Sequence, residues 1–325
     1  MNNQTFTEIN GAFAEGGGQM FRMSIALSAI LDQNLKIHSI RKNRTKDGLK
    51  ELHVFCLNAI LNLFQYNNTS DYEIGTKEVI LKHLSGQKIK NKNENIIVKP
   101  NKLASVTLLM QAIAPCLVFK NINNSFTFHG GTDMKFSPSM DFVTSILCPV
   151  LRYHANIFFE VNHVKRGFYP KGKGKFILKN KTHEPLKKNI IMTDMGNPLQ
   201  MDVKALVAWL PAENGLDVDE IQAHTTRLKH NMSKYYGNHS IPLNTLIENN
   251  MMGNSIKYKP HFLSILVSIS TSTDCKISSD VLMDIPPDSK DFETHFMSQI
   301  QKCTLKLYNT LSCGACVDEH LADQL

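Results

Sequence analysis

Residues 15–19 read Glu15-Gly16-Gly17-Gly18-Gln19, and Met20-Phe21-Arg22-Met23-Ser24-Ile25-Ala26-Leu27 follows without a break. Met20, Met23, Leu27 and Ile30 recur at helical spacing, so the stretch predicts a glycine turn opening a helix that runs to about Leu31. The first turn of a helix leaves backbone N–H groups without partners, and these can hold an anion. Taken by itself, the stretch also fits a flexible turn in front of a helix.

Outward from this turn the pattern alternates. Leu35 to Ile40 reads as a short strand ending in the basic loop Arg41-Lys42-Asn43-Arg44, and Leu49 to about Tyr66 as a second amphipathic helix. Short strands are expected near Tyr72, near Val79 and over Asn95 to Val98. A third helix runs from Ser105 and is expected to stop at Pro115, which cannot donate to the helical ladder. Ser125 to Phe128 is a strand leading into His129-Gly130-Gly131-Thr132, and a helix follows Pro138. Strands are expected at Ile157 to Val164 and Lys175 to Leu178, around the loop Arg166-Gly167-Phe168-Tyr169-Pro170-Lys171-Gly172. The rhythm gives an α/β fold with a recurring glycine-turn-helix element and no exact internal repeat.

From about Asn180 the pattern changes. Asn189 to Met192 and Ala205 to Trp209 read as strands, Asp217 to Tyr236 as a helix, and Gly237 to Lys259 as a polar, Asn-rich loop. Phe262 to Ser270 is a strong strand, Ile285-Pro286-Pro287 a linker, and Phe292 to about Leu311 a helix. The expected organisation is a core part over 1–180, an inserted smaller α/β subdomain over 181–276, and a return to the core over 277–325.

Composition narrows the function classes. Of 325 residues, 42% are hydrophobic and 20% charged, which suits a globular chain and excludes a disordered or collagen-like one. Lys and Arg (36) outnumber Asp and Glu (29), giving a net charge of +7 that weakly favours a polyanionic partner. No apolar run reaches the roughly 18 residues of a membrane helix, and Met1 to Asn10 has no signal-peptide pattern. Neither a membrane span nor secretion is expected. The seven cysteines are an odd number and several sit in apolar runs, as reduced buried thiols do. Cys313-Gly-Ala-Cys316 has metal or redox spacing but no second pair, so chance spacing is preferred. Lys165, Lys171, Lys173 and Lys175 with Phe168 and Tyr169 read either as a solvated hairpin or as an RNA-contacting surface.

Several motifs together carry a resemblance. Glu15-Gly-Gly-Gly-Gln19 with Arg22, Ile40-Arg41-x-x-Arg44, Gly48-Leu49-x-x-x-His53, Glu73-Ile-Gly-Thr76 and Ser105-Val-Thr-Leu-Leu-Met-Gln111 occur in one order. Gly130-Gly-Thr132, Pro138, Asp141, Arg166-Gly-Phe-Tyr-Pro-Lys-Gly172 and Asp318-Glu-His-Leu-Ala-Asp-Gln-Leu325 follow. In this order the set resembles the RNA 3'-terminal phosphate cyclases over nearly the whole chain, thinly through 181–276. The resemblance implies βαβαββ-like repeated units with a smaller inserted α/β subdomain. It implies a ligase that uses ATP and Mg²⁺ or Mn²⁺ to adenylylate a histidine, passes AMP to an RNA 3'-phosphate, and closes a 2',3'-cyclic phosphodiester. By resemblance, Arg22, Arg41 and Arg44 bind RNA phosphate, for which the guanidinium fork is suited. Glu15 is the metal residue, and Gln111, Pro138, His320, Asp323 and Gln324 contact the adenine nucleotide. On the residues alone, Gln111 fits a satisfied core amide as well, and Arg41 and Arg44 fit a solvated loop. The partners are RNA 3' ends and ATP, and the location is nuclear (nucleoplasm) or cytosolic, with animal-type members pointing to the nucleus.

The chain departs from the family in places. Leu52 stands where the family has Gln, His320 where it has Tyr, and Gly172-Lys173-Gly174 where it has three glycines. The nucleophilic His belongs to a strand past Asp323-Gln324-Leu325, and no histidine here stands in its context. Two expectations follow: a cyclase-type enzyme whose nucleophile is not among these residues, or a catalytically inactive cyclase-like scaffold for RNA processing or ribosome biogenesis. A single anion-cradling site is expected from the front-end glycines, the arginines and the Asp323-Gln324 pair.

Overall fold

Gly17 caps the first helix without a side-chain hydrogen bond, and α1 (Gly18–Leu31) buries Phe21, Ile25, Ala26 and Ala29 along the face that the apolar period marks. Asp32 closes it in a left-handed turn, its N–H bonded to the Ser28 carbonyl. α2 (Glu51–Phe64) buries Cys56, Leu57 and Ile60, and α3 (Val106–Phe119) buries Leu109, Ala112, Ile113, Cys116 and Leu117. The Ser105 hydroxyl starts α3 by accepting from the Leu108 N–H. The three helices pack on one another, and burying this much aliphatic surface is the main favourable term here.

The computed structural model describes residues 5–64, 66–68, 70–83, 95–100, 103–169, 172–187, 189–207, 223, 226, 243–249, 262–284 and 292–325. The chain forms two compact units. The first is Met1–Thr132, Phe159–Gly167 and Lys171–Thr182, and the second is Asp133–Phe158, Phe168–Pro170 and His183–Leu325.

The first unit holds two four-stranded sheets of the same topology. β1 (Thr7–Asn10), β2 (Leu35–His38), β3 (Asn67–Asn68) and β4 (Val79–Lys82) take the order β1-β2-β4-β3, with β1 parallel to β2 and the rest antiparallel. β5 (Asn95–Val98), β6 (Ser125–Gly130), β7 (Phe159–Lys165) and β8 (Gly174–Asn180) take the equivalent order β5-β6-β8-β7. In chain order, with the intervening helices, each is the expected βαβαββ unit. A crossover helix joins each parallel pair, as parallel strands require. The glycine turns are not equivalent, however: Gly16-Gly17-Gly18 follows the first strand of its repeat, whereas Gly130-Gly131 follows the second. In the second sheet Phe126, Phe128, Phe176 and Leu178 are buried on the side to which α3 packs, and Phe128 stacks on Phe176 at 4.7 Å.

In the second unit, β9 (Pro198–Val207), β10 (Leu243–Asn249), β11 (Phe262–Thr271) and β12 (Lys276–Asp284) order as β10-β9-β11-β12. Helix α4 (Met140–Phe142), a π-helical turn (Val143–Leu147) and α5 (Cys148–Ala155) form one continuous helical segment. It shares a core with Leu266 of β11 and Leu321 of the short α7 (Glu319–Ala322). α6 (Phe292–Ser312) packs on β12.

Four expectations are corrected. α3 runs through Pro115 to Phe119, because its buried face continues at Cys116 and Leu117 and outweighs one missing donor. Residues 189–192 and Tyr72 lie in coil rather than strands. The stretch read as a polar loop contains β10, which is made a strand by parallel pairing with β9. The expected helix over 217–236 and the 285–287 linker lie outside the described residues, apart from the isolated positions 223 and 226.

Candidate functional site

In the first unit the N-terminus of α1 gathers the residues that the sequence singles out. A Cβ on Gly18 would collide with His53 Nε2 and sit 3.2 Å from Arg22 Nη1. A Cβ on Gly17 would sit 2.9 Å from a Glu15 carboxylate oxygen and 3.3 Å from Arg44 Nη2. The glycines are therefore required by close approach: Glu15, Arg22, Arg44 and His53 crowd the first turn, where the N-cap Gly17 makes no side-chain capping bond.

Arg22 is buried at 6% exposure and donates from Nε and Nη2 to the Gln111 side-chain oxygen, at 3.1 and 2.7 Å. Among the described residues no carboxylate pairs with it. Burial pulls its guanidinium below the ordinary arginine range. A buried cation held by a neutral amide is costly unless an anion completes its shell.

Arg41 is also buried. Its backbone is left-handed (φ 55°), and it donates from Nη1 to the carbonyls of Lys46 (2.8 Å) and Gly48 (3.3 Å). Gly48 permits this turn, since its own φ is +77° and a Cβ there would overlap the Gly75 carbonyl. Arg44 is more exposed and pairs with Glu15 at 2.8 Å.

His53 is the residue that sequence reasoning placed in a motif without giving it a role. It is buried in the first turn of α2, with its ring 5.4 Å from that of Phe21. Its Nδ1 accepts the Lys50 N–H at 3.0 Å, which leaves the ring proton on Nε2, the atom aimed at Gly18. Burial, then Arg22, Arg41 and Lys50, push its pKa down to about 3. It is therefore a neutral N–H donor at ordinary pH. Lys50 is held below the usual lysine range by Arg41 first and then by its own burial. The signal for His53 was its position on the buried face of an amphipathic helix four residues beyond Leu49.

Among the described residues the turn brings together helix N–H groups, two buried guanidiniums and a neutral imidazole N–H, a set that fits a phosphate group. The Glu15 carboxylate lies at this turn, and it already faces Arg44. Among the described residues no group of three His, Cys, Asp or Glu side chains is spaced to hold a metal ion.

Of the residues expected to contact nucleotide, Gln111 belongs to the first unit and is the acceptor for Arg22. Pro138, His320, Asp323 and Gln324 belong to the second. Pro138 precedes Ser139, whose hydroxyl caps α4 by accepting from Phe142 N–H at 3.1 Å. His320 stands edge-on to Phe142 (6.3 Å) and contacts Asp280 at 3.4 Å, and the Asp280 hydrogen bond raises its pKa. Asp323 and Gln324 close the turn after α7, with Gln324 N–H bonded to the Leu321 carbonyl. Asp318, which the sequence places at the head of the C-terminal motif without a role, anchors this tail. It is 2% exposed, accepts from Ser278 N–H and Oγ (both 2.8 Å), and caps α7 through Leu321 N–H (2.9 Å).

A sequence profile of the family described as RNA 3'-terminal phosphate cyclase matches residues 13–325. The RNA 3'-terminal phosphate cyclase of Saccharolobus islandicus is 35% identical over 178 residues, 55% of this chain and 50% of the relative. That of Saccharolobus solfataricus is 33% identical over 207 residues, 63% of this chain and 58% of the relative. That of Pyrococcus furiosus is 39% identical over 168 residues, 51% of this chain and 46% of the relative. The chain spans about half the length of the curated relatives it matches. With a profile match over nearly all its length, the chain belongs to the RNA 3'-terminal phosphate cyclase family.

Proposed function

We propose that the protein recognises the 3'-terminal phosphate of RNA at the N-terminus of α1 and serves its ATP-dependent cyclisation to a 2',3'-cyclic phosphodiester. The observation that carries this reading is the buried Arg22, whose described partner is only the Gln111 amide. Arg22, with the His53 Nε2–H and the first-turn N–H groups, supplies donors to phosphate oxygens, and among the described residues no carboxylate pairs with Arg22. Arg41 adds positive potential and stiffens the loop that follows β2. Bound ATP, with Mg²⁺ or Mn²⁺, supplies the activating AMP. By resemblance, Glu15 faces the metal, Gln111 faces the nucleotide in the first unit, and Pro138, His320, Asp323 and Gln324 are the nucleotide residues of the second.

The test is binding of a 5'-labelled single-stranded RNA ending in 3'-phosphate against the same strand ending in 3'-hydroxyl. Charge-assisted hydrogen bonds are worth about 1.5–3 kcal/mol each, so the phosphate end is expected to bind about tenfold tighter or better. Arg22→Ala is expected to abolish that preference. Equal affinity for the two ends in the unaltered protein overturns the reading. A second reading, an RNA-binding family member without chemistry, is favoured by Leu52 in place of the family's Gln. Incubation with labelled ATP and Mn²⁺ separates the two readings: a stable protein–AMP adduct excludes the second.

A further inference from the structure

We infer that the outer face of the β5-β6-β8-β7 sheet is a second RNA surface, one that holds the phosphodiester backbone of the strand away from its 3' end. This rests on the RNA reading above, but on a different part of the first unit.

Register places the charges. His129 of β6 lies opposite Lys175 of β8, and Lys165 of β7 lies opposite the same Lys175 beyond a bulge. Lys99 follows Val98, which pairs with Phe128, so it stands beside His129. Because side chains alternate along a strand, the burial of Phe128 and Phe176 against the α3 side turns His129 and Lys175 to the opposite face. Lys99, His129, Lys175 and Lys165 thus form one row across all four strands, about 14 Å long at ordinary strand spacing.

The row is open to solvent and, among the described residues, lacks acidic partners. Lys99 and Lys165 are exposed, Lys175 and His129 half-buried, and Ile97 on the same face is 63% exposed. Among the described residues no carboxylate pairs with Lys99, Lys165 or Lys175. Glu160 lies opposite Lys179 at the far end of the strands, where Asn162 (2.9 Å) and Lys181 (3.6 Å) hold it. Burial first, and then Lys175 and Lys99, lower the His129 pKa, which favours its uncharged form within the row. Like charges placed directly opposite on a sheet are destabilising, so the Lys165–Lys175 pairing costs stability in the free protein. A polyanion removes that cost. A linear row on a flat strand surface suits a phosphodiester chain. It has no bulky aromatic anchor of the kind a lipid interface favours.

The experiment uses the full chain and the two RNAs named above, with affinity measured over a range of KCl concentrations. The triple variant Lys99→Gln, Lys165→Gln, Lys175→Gln is expected to bind both RNAs about tenfold more weakly. Its plot of log affinity against log salt should be shallower by about 2, since each phosphate contact to a single strand contributes about 0.7 to the slope. The preference for the 3'-phosphate end should be unchanged. Equal weakening of both RNAs supports the surface even if the unaltered protein shows no end preference, which would sink only the end-recognition reading. Wild-type affinity and slope in the triple variant overturn the surface, as does absence of RNA binding by the unaltered protein. So does a loss confined to phosphatidylserine vesicles with RNA binding intact. If the triple variant loses its circular-dichroism spectrum, Lys99→Glu with Lys165→Glu, both at exposed positions, carries the same test.

Discussion

His53 shows how one side chain is set by its surroundings. The Lys50 N–H fixes its tautomer, three cations and burial keep it neutral, and Gly18 gives it room. Its folded pKa, about 3, is below the ordinary value of 6.5, so the unfolded chain takes up its proton first as pH falls. The stability it contributes is therefore complete above pH 6.5 and is lost as pH falls from there towards 3. His53→Gln is expected to recover about 2 kcal/mol of that loss between pH 6.5 and about 4, read from urea midpoints. His320 has the opposite sign: Asp280 raises its pKa, so its contribution is present below the ordinary value and fades as pH rises through the folded one. At this scale the sequence was informative where chemistry is local. Glu15, the glycines and Arg22 stand together in the sequence, whereas Arg44 comes from the loop after β2 and meets Glu15 only in the fold. The bond from Arg22 to Gln111 was not legible, since it joins residues 89 apart.

Among the elements, helices with a strong apolar face were read within a few residues, as α2 and α6 show. The failures have two physical sources. β10 exists because β9 offers it a parallel edge, and a polar segment gives little local sign of such a partner. Pro115 was read as a terminus because propensity argues for one. Yet α3 keeps its helix where Cys116 and Leu117 are fully buried. The residue four before that proline is Gln111, so the Gln111 carbonyl loses its usual helical donor at the point where its side chain receives Arg22. The short α7 depends on a different device. Asp318 caps it and binds Ser278 in β12. Asp318→Ala is expected to cost about 3 kcal/mol in urea unfolding, and Asp318→Asn clearly less, because the amide oxygen still accepts. Equal losses in the two variants would show that the cap and the Ser278 bonds contribute little.

Over the whole molecule, the class of fold was legible from the alternation of strands and helices, and the repeated βαβαββ unit from the family resemblance, whereas the strand order within each sheet was not. The two repeats reach the same strand order with different residues, and their glycine turns sit at non-equivalent positions. Net charge is also a property of this scale. With +7 overall, affinity for RNA ending in 3'-hydroxyl should fall steeply with salt. The advantage of the 3'-phosphate end should decline less, because donors such as Arg22 are buried and screened weakly. Titrations of both RNAs at rising KCl check this, and parallel loss of the two terms would contradict it. Among the described residues no helix is long and apolar enough to cross a membrane. The first unit is also discontinuous along the chain, since β7 and β8 join it only after Asp133–Phe158 has been contributed to the second. During synthesis, a nascent polypeptide that has emerged only to Thr132 holds β5 and β6 as a bare pair, with Phe128 lacking the ring of Phe176. Translation must pass Asn180 before that sheet can close, so the ribosome releases material for the second unit before the first is finished.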